Sequence, residues 1–499
     1  MIVRSLNLAE SSSADALREF LVGCRQHAAA VGRPQLVSIS IAVPALDPLA
    51  VLESIFEPTE RHFYVERPAE GVALAGAEAV LTFTARGPGR FSACQAFIAE
   101  TLEHTIAVGC VDLPFGGPHF FSAFTFEPDG PEQPFAPATV FVPRWQVAAR
   151  AGCTVAVANL LIAAETAVEP AVQKVWRAHQ KFSAFDYAPP EFPPLAPAVL
   201  AAGGARSPGG LAAPPSKDPP SESGMRSANA LYPAAAHYRA AVTSALAEIA
   251  RGDYEKIVLA QVRELRTELA FEPLRVLNGL RQRFTDCYAF SVANGLGVSF
   301  IGASPERLLE VRGGRLRTEA LAGSARRGSG ASEDAAFAAA LLRDEKERRE
   351  HEMVVAFITE QLRGLGLCPE YPAAPGLRRF ANVQHLHTAI EADLPGDVRL
   401  LDVAERLFPT PAVGGYPLAA ALPRIAPLEG FARGLYAGAL GWIDHRGNGE
   451  LLVGLRSALI AGPTARLYAG AGIVAGSSPD QEQAETELKF RAMLVALLA

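Results

Sequence analysis

From Phe337 to Leu362 apolar residues recur at helical spacing, except in the middle. Phe337 and Leu341 begin a stripe four apart, and Met353, Val354, Phe357, Ile358 and Leu362 resume it. Between them stand nine residues, Asp344 to Glu352 (D-E-K-E-R-R-E-H-E), all charged or histidine. A helix with an ionised middle either stands in water or faces something that needs charge. Glu347 and Glu350, three apart, share one face, as carboxylates lining a divalent-metal site would. A solvated helix laced with ion pairs accounts for the run alone at least as well.

Elsewhere the pattern alternates between short strands and helices. Val37-Ser-Ile-Ser-Ile-Ala-Val alternates and predicts a strand, and Cys153 to Thr166 reads as the start of a helix continuing through Val175-Trp176. Gly116-Gly117 and Phe120-Phe121 suggest a turn and a buried strand. From Pro189 to Ala228 no period survives: prolines, glycine pairs and Ser-Glu-Ser-Gly predict an exposed linker or loop. This divides the chain into residues 1–188, an N-terminal α+β region packed on the core, the linker 189–228, and a C-terminal domain 229–499. In the last part Tyr238 to Ile249 predicts a helix, and Lys256 to Val262 a strand after the Gly252-Asp253 turn. Strands follow at Ala289–Val292 and Val298–Gly302, then the interrupted helix and another over Leu400–Leu407. A hairpin over Leu435–Arg456 turns at Gly447-Asn448-Gly449, and a strand covers Arg466–Ala469. The final helix opens at Ser478-Pro-Asp-Gln, with serine as N-cap and proline at the first position. The fold class is α+β, with large antiparallel sheets flanked by helices and no βαβ repeat.

Composition narrows the function. A chain of 499 residues, 49% hydrophobic and 20% charged, has ample material for a large core. A formal net charge of −7 without a basic tract argues against nucleic-acid binding. The apolar stretch Ala151–Ala164 contains Asn159 and is too short to span a bilayer, and the N-terminus has no apolar signal core, so the chain reads as cytoplasmic. Six scattered cysteines form no C-x-x-C or Cys/His cluster, which leaves free thiols rather than zinc or a disulfide framework.

Several residues stand out chemically. Lys256 opens a strand whose same-face neighbours are Val258 and Ala260; it is an ordinary strand-end lysine or one held against apolar groups to act as a base. Glu306 follows a strand in Gly302-Ala-Ser-Pro-Glu-Arg, where the proline turn would aim its carboxyl away from the strand. Glu485 shares a helical face with Leu488, Ala492 and Val495. It either pairs with Lys489 or meets the acidic helix across a metal while Lys489 reaches an anionic substrate. Arg456, ending an apolar strand, suits bidentate capture of a carboxylate. The turns Leu321-Ala-Gly-Ser-Ala and Ala469-Gly-Ala-Gly could offer backbone N–H groups to such an anion.

In order along the chain these segments resemble the chorismate-utilising enzymes, and among them isochorismate synthase. The resemblance lies in Tyr254-Glu-Lys-Ile-Val-Leu, Gly302-Ala-Ser-Pro-Glu-Arg-Leu, Leu321-Ala-Gly-Ser-Ala-Arg-Arg, Glu347-Arg-Arg-Glu-His and Val383-Gln-His-Leu. It continues in Phe408-Pro-Thr-Pro-Ala-Val-Gly-Gly, Tyr436-Ala-Gly-Ala-Leu-Gly, Arg456-Ser-Ala, and Tyr468-Ala-Gly-Ala-Gly-Ile-Val leading into Glu485-Thr-Glu-Leu-Lys489. It covers residue 229 to the C-terminus; residues 1–228 are only loosely similar. The resemblance implies the chorismate-utilising enzyme fold, Mg2+ as cofactor and chorismate as substrate, in menaquinone or siderophore biosynthesis. It implies Lys256 as the base activating water for attack at C2, and Glu306 as the acid protonating the C4 hydroxyl. Glu350 and Glu485, with Glu347 beside them, would hold the metal. Gly323, Ser324, Ala412, Arg456, Gly470 and Lys489 would contact substrate. Phe408 departs from the histidine often found before Pro-Thr-Pro, a change expected to touch packing. Val413-Gly-Gly-Tyr-Pro replaces the Ser-Gly-Ala-Pro-Lys of the ammonia-using relatives, so no glutamine amidotransferase subunit is expected, and the chain would act as monomer or homodimer. Salicylate synthase, which goes on to eliminate pyruvate from isochorismate, is the alternative.

Overall fold

The computed structural model describes residues 1–4, 14–55, 59–129, 134–183, 199–200, 235–380 and 383–498. The predicted linker 189–228 lies outside them apart from Val199–Leu200, which pairs with the end of strand Lys256–Arg266. The described strands join into one continuous, largely antiparallel sheet. One wing runs through Gly376–Arg379, Val383–Asp393, Arg315–Arg326, Arg307–Arg312, Gly449–Val453 and Ala439–Asp444. The other runs through Lys256–Arg266, Thr464–Val474, Ser457–Ala461, Val298–Ser304 and Tyr288–Asn294. The N-terminal half joins them: Arg61–Arg67 pairs with Tyr288–Asn294, and His119–Phe124 pairs with Ala439–Asp444. Strands Val72–Ala85 and Ala138–Arg150 complete the link. Among the described residues, parallel pairing is confined to Thr105–Gly109 with its neighbours Ile2–Arg4 and Gln35–Val43.

The core crosses both halves. Phe63 stacks on Phe121 at 4.8 Å between ring centroids, and the cluster continues through the buried Phe290 and Phe300. Burial on both faces explains why strand Lys256–Arg266 begins with seven consecutive buried residues and shows no alternation. None of the described helices is long and apolar enough to cross a membrane. The six cysteines are free thiols.

Three expectations change. Cys153–Ile162 is a strand between Gln35–Val43 and Ala138–Arg150, and the helix begins only at Val168. A run apolar at nearly every position has no clear period, so strand and buried helix look alike in sequence. The interrupted helix is two helices, Ala331–Arg343 and Glu345–Gly364, broken at Asp344, whose carboxylate accepts from the Glu347 N–H at 3.1 Å. That capping bond satisfies one of the free N–H groups of the second helix. Lastly, the face that Glu485 shares on helix Pro479–Leu497 is not the buried one. Leu488 and Val495 are each 51% exposed, whereas Phe490, Met493 and Leu497 fill the core. Ser478 occupies the N-cap position, but its side chain makes no capping bond.

Candidate active site

Lys256 opens its strand paired to Tyr416 on one side and Val474 on the other. This places its side chain inside the protein, 1% exposed, with Nζ donating to Glu350 Oε1 at 2.8 Å. Gly472, paired to Val258 on strand Thr464–Val474, makes room: a Cβ there would lie 3.0 Å from Glu350 Oε1 and 3.2 Å from Lys256 Cε. Burying a charged amine is costly unless it is paired, and Glu350 supplies the pair. Below the lysine the strand is clamped by a second buried ion pair, Glu429–Arg433 at 2.5 Å, both side chains 1% exposed. Glu429 accepts from the Ala260 N–H, while Arg433 donates to the carbonyls of Val258 and Val413. The base's strand and the loop carrying Ala412 are thereby held to one another.

Glu306 follows strand Val298–Ser304. Its N–H donates to Ser304 Oγ at 3.2 Å, and its carbonyl accepts from the Val453 N–H at 3.1 Å. The carboxyl is buried in the cleft wall. Burial, and next the charge of Glu319, push it up to about 8, against the opposing pull of Lys256 and Lys489. It therefore keeps its proton at neutral pH and can give one away.

The charged run divides by face. Most of it is exposed, as a solvated helix would be, but Glu347, Glu350 and His351 turn inward. His351 is fixed by Thr388 Oγ1 at 2.8 Å, and burial lowers it to about 4. Glu350 and Glu485 both border one cleft. Glu485, half-buried, would be raised by burial, but Lys489 at 2.7 Å outweighs this and holds it below the usual carboxylate range. Glu347 accepts from the Ser324 N–H at 2.7 Å, where strand Arg315–Arg326 bulges at Gly323. Gly323 has φ +77, and a Cβ there would sit 3.0 Å from the Glu347 carbonyl oxygen. Among the described residues no three acidic, imidazole or thiolate side chains converge as a ready metal cluster. The donor chemistry nonetheless suits a hard divalent cation: two carboxylates on one cleft, with water and substrate oxygens left to complete the shell.

The same cleft takes in Gly323, Ser324, Ala412, Arg456, Gly470 and Lys489, so of the residues singled out in sequence only Lys256 and Glu347 stand behind its lining. Arg456 has a left-handed backbone, φ +46, which costs a non-glycine residue about 1 kcal/mol. Its guanidinium meets Cys287 Sγ at 3.5 Å and the Phe380 ring at 5.4 Å. Alone among the cleft's lining cations it has no carboxylate partner among the described residues, which leaves its fork for an incoming anion. Phe408 packs beside Phe91 and Phe126, away from the cleft lining.

Sequence reasoning passes over several lining groups. His385 bonds Ser324 Oγ at 2.9 Å, and burial lowers it to about 3, so it is a neutral imidazole. Tyr436 and Tyr468 stack at 5.1 Å as an aromatic wall. Glu482, outside the lining itself, is buried one turn before Glu485; burial, with Glu485 adding to it, pushes it up to about 7 against a hydrogen bond from Ser477. Its three-residue spacing from Glu485 repeats that of Glu347 and Glu350, and this is the signal the sequence offers for it.

Comparison with known proteins bears on the family of the chain. Over 474 residues the chain is 36% identical to the salicylate biosynthesis isochorismate synthase of Pseudomonas aeruginosa, covering 95% of this chain and 92% of that protein. It is 39% identical over 257 residues to an isochorismate synthase of Bacillus subtilis, 52% of this chain and 54% of that one. The structure superposes on the menaquinone-specific isochorismate synthase from Escherichia coli with a TM-score of 0.73 at 25% identity, covering 96% of this chain and 99% of the other. On anthranilate synthase component I from Streptococcus pneumoniae the TM-score is 0.63 at 22% identity, over 85% and 92% of the two chains, a likeness of fold. The family profile described as chorismate binding enzyme matches residues 22–200 and 211–498, taking in the N-terminal half that sequence reading found only loosely similar, and the chain belongs to that family.

Proposed function

We infer that the protein is an isochorismate synthase, an isomerase that adds water at C2 of chorismate and expels the C4 hydroxyl as water. The observation that carries this reading is Glu306, a carboxyl buried in the cleft wall and still protonated near neutral pH, within electrostatic reach of Lys256. Moving a hydroxyl from C4 to C2 requires one group to accept a proton and another to give one. With substrate bound, Lys256 must first stand as the neutral amine, its extra proton given up to solvent; its Nζ then takes the proton from the attacking water. Glu306 gives its own to the departing oxygen as the ring double bonds shift. After each turnover Lys256 holds an extra proton and Glu306 lacks one, so a proton returns from one to the other through solvent.

Two substrate carboxylates need cationic and N–H partners. We assign Arg456, Lys489 and the backbone around Gly323, Ser324 and Gly470 to them, with Ala412 lining the same cleft. Glu350 and Glu485 would hold Mg2+, with Glu347 close by. Bound there, the ion would neutralise and orient the ring carboxylate. Val413-Gly-Gly-Tyr-Pro supports water rather than ammonia as the nucleophile, and hence action without an amidotransferase subunit. The composition supports a cytoplasmic place for it.

Incubation of the purified protein with chorismate and Mg2+, followed by chromatography, should yield isochorismate without pyruvate. Stoichiometric pyruvate and salicylate would assign the salicylate synthase reaction instead. Arg456→Ala should raise KM roughly 10- to 100-fold with kcat little changed, as expected for losing about 1.5–3 kcal/mol of charge-assisted bonding. Unchanged kinetics would make Arg456 structural.

A further inference from the structure

Phe380 is buried behind the cleft wall and is not part of its lining. Both of its backbone groups are tied: the N–H donates to the Val383 carbonyl at 2.8 Å, and the carbonyl accepts from Arg327 at 2.7 Å. The ring so fixed backs two groups that do line the cleft. Arg456 Cζ stands over it at 5.4 Å from the centroid, and the His385 imidazole meets it edge-on at 5.8 Å. Arg378 also lies over the ring, at 5.7 Å, but its guanidinium is committed to Glu319 at 2.6 Å. The Arg456 guanidinium touches a second neutral group. Its Nη1 donates to Cys287 Sγ at 3.5 Å, and burial raises that thiol, which keeps it uncharged. The other two cations of the lining, Arg433 and Lys489, are each held by a glutamate.

We propose that Phe380, with Cys287, is a positioning residue for substrate binding: the aromatic face and the thiol aim the Arg456 fork at the cleft without neutralising it. A carboxylate would hold a guanidinium more firmly, but an incoming anion would then have to displace that carboxylate and leave its charge buried and unpaired. An aromatic face attracts a cation through its quadrupole and carries no net charge, so the guanidinium keeps its full attraction for a substrate carboxylate. The inference rests on Arg456 being the holder of such a carboxylate. Neither Phe380 nor Cys287 lines the cleft, and both act through Arg456.

The test is a double-mutant cycle on KM and kcat with chorismate and Mg2+, using wild type, Phe380→Leu, Arg456→Ala and the two combined. Leucine keeps an apolar side chain at 380 and removes the π face. Phe380→Leu should raise KM about 3- to 30-fold, the worth of a partly desolvated cation–π contact, with kcat little changed. In the Arg456→Ala background the same substitution should leave KM where it was, because the group it aims is gone. Loosened packing would instead add its full cost to that of Arg456→Ala. Equal rises in KM in both backgrounds would therefore overturn the proposal, as would a KM that Phe380→Leu leaves unmoved in the otherwise wild-type protein. Should Phe380→Leu fail to fold, Phe380→Met, closer in volume and equally without a π face, is read by the same criteria. A KM unchanged in Arg456→Ala itself would overturn the anion-holding assignment and the proposal together, which separates that failure from the other two.

Discussion

Lys256→Ala and Glu306→Gln are each expected to lower kcat about 10²- to 10⁴-fold, the usual worth of a positioned general base or acid. The two losses should not add fully, because neither proton transfer leads anywhere without the other. Glu306 works in its protonated form, and its environment raises it to about 8. Activity should therefore be carried through neutral pH and fall as the pH passes about 8, where the acid becomes ionised. An ordinary exposed glutamate would already have lost its proton near pH 4. Neither substitution should unfold the protein. Glutamine is nearly isosteric with the glutamate it replaces, and removing the lysine leaves Glu350 next to a half-solvated cleft. Near-normal isochorismate formation by Lys256→Ala would mean that another group activates the water.

Glu350→Gln and Glu485→Gln should be comparably damaging, and for a separable reason. Each removes one of two carboxylates that border the cleft and offer hard oxygen donors. EDTA should silence the wild type, and added Mg2+ should restore it. Calorimetric titration of Mg2+ into the protein without substrate should show binding that weakens in both variants. Glutamine still offers Lys256 an acceptor oxygen in place of Glu350, so the fold should survive. Full activity in chelator, or Mg2+ binding unchanged by both substitutions, would remove the metal from the assignment.

Much of the site can be read in the chain because its residues sit in short, strongly constrained segments. Glu306 after a proline turn and Arg456 at a strand end line the cleft, and Lys256 at the head of an apolar strand lies behind that lining. The charged run satisfies both of its readings at once: an outer face in water, and Glu347, Glu350 and His351 inward. What stays hidden depends on contacts far apart in sequence. Glu319 has meaning only beside Arg378 and His387, 59 and 68 positions on. Glu429 and Arg433 look like a surface i,i+4 pair, and only strand Lys256–Arg266 lying against them buries both. The strand Cys153–Ile162 reads as helix because burial on all sides erases the alternation that marks a strand. The apolar stripe that draws attention to Glu485 is misleading: Leu488 and Val495 on its face are exposed, so its place in the cleft owes nothing to that stripe.

The joining of the two sheet wings through the N-terminal half bears on any attempt to divide the protein. Strand Tyr288–Asn294 gives one flank to Arg61–Arg67, and Ala439–Asp444 gives one to His119–Phe124, along six paired residues in each case. A fragment that began at residue 235 would keep every residue assigned here to catalysis, yet it would display two rows of unpaired N–H and C=O groups flanked by apolar side chains. Such edges recruit whatever strand is near, including the same edge of another copy. Among the described residues none of the N-terminal half lines the cleft, and its contact with the lining runs through Glu127 and Phe126 against Arg433. What it does is pair with two flanks of the sheet that would otherwise stand open.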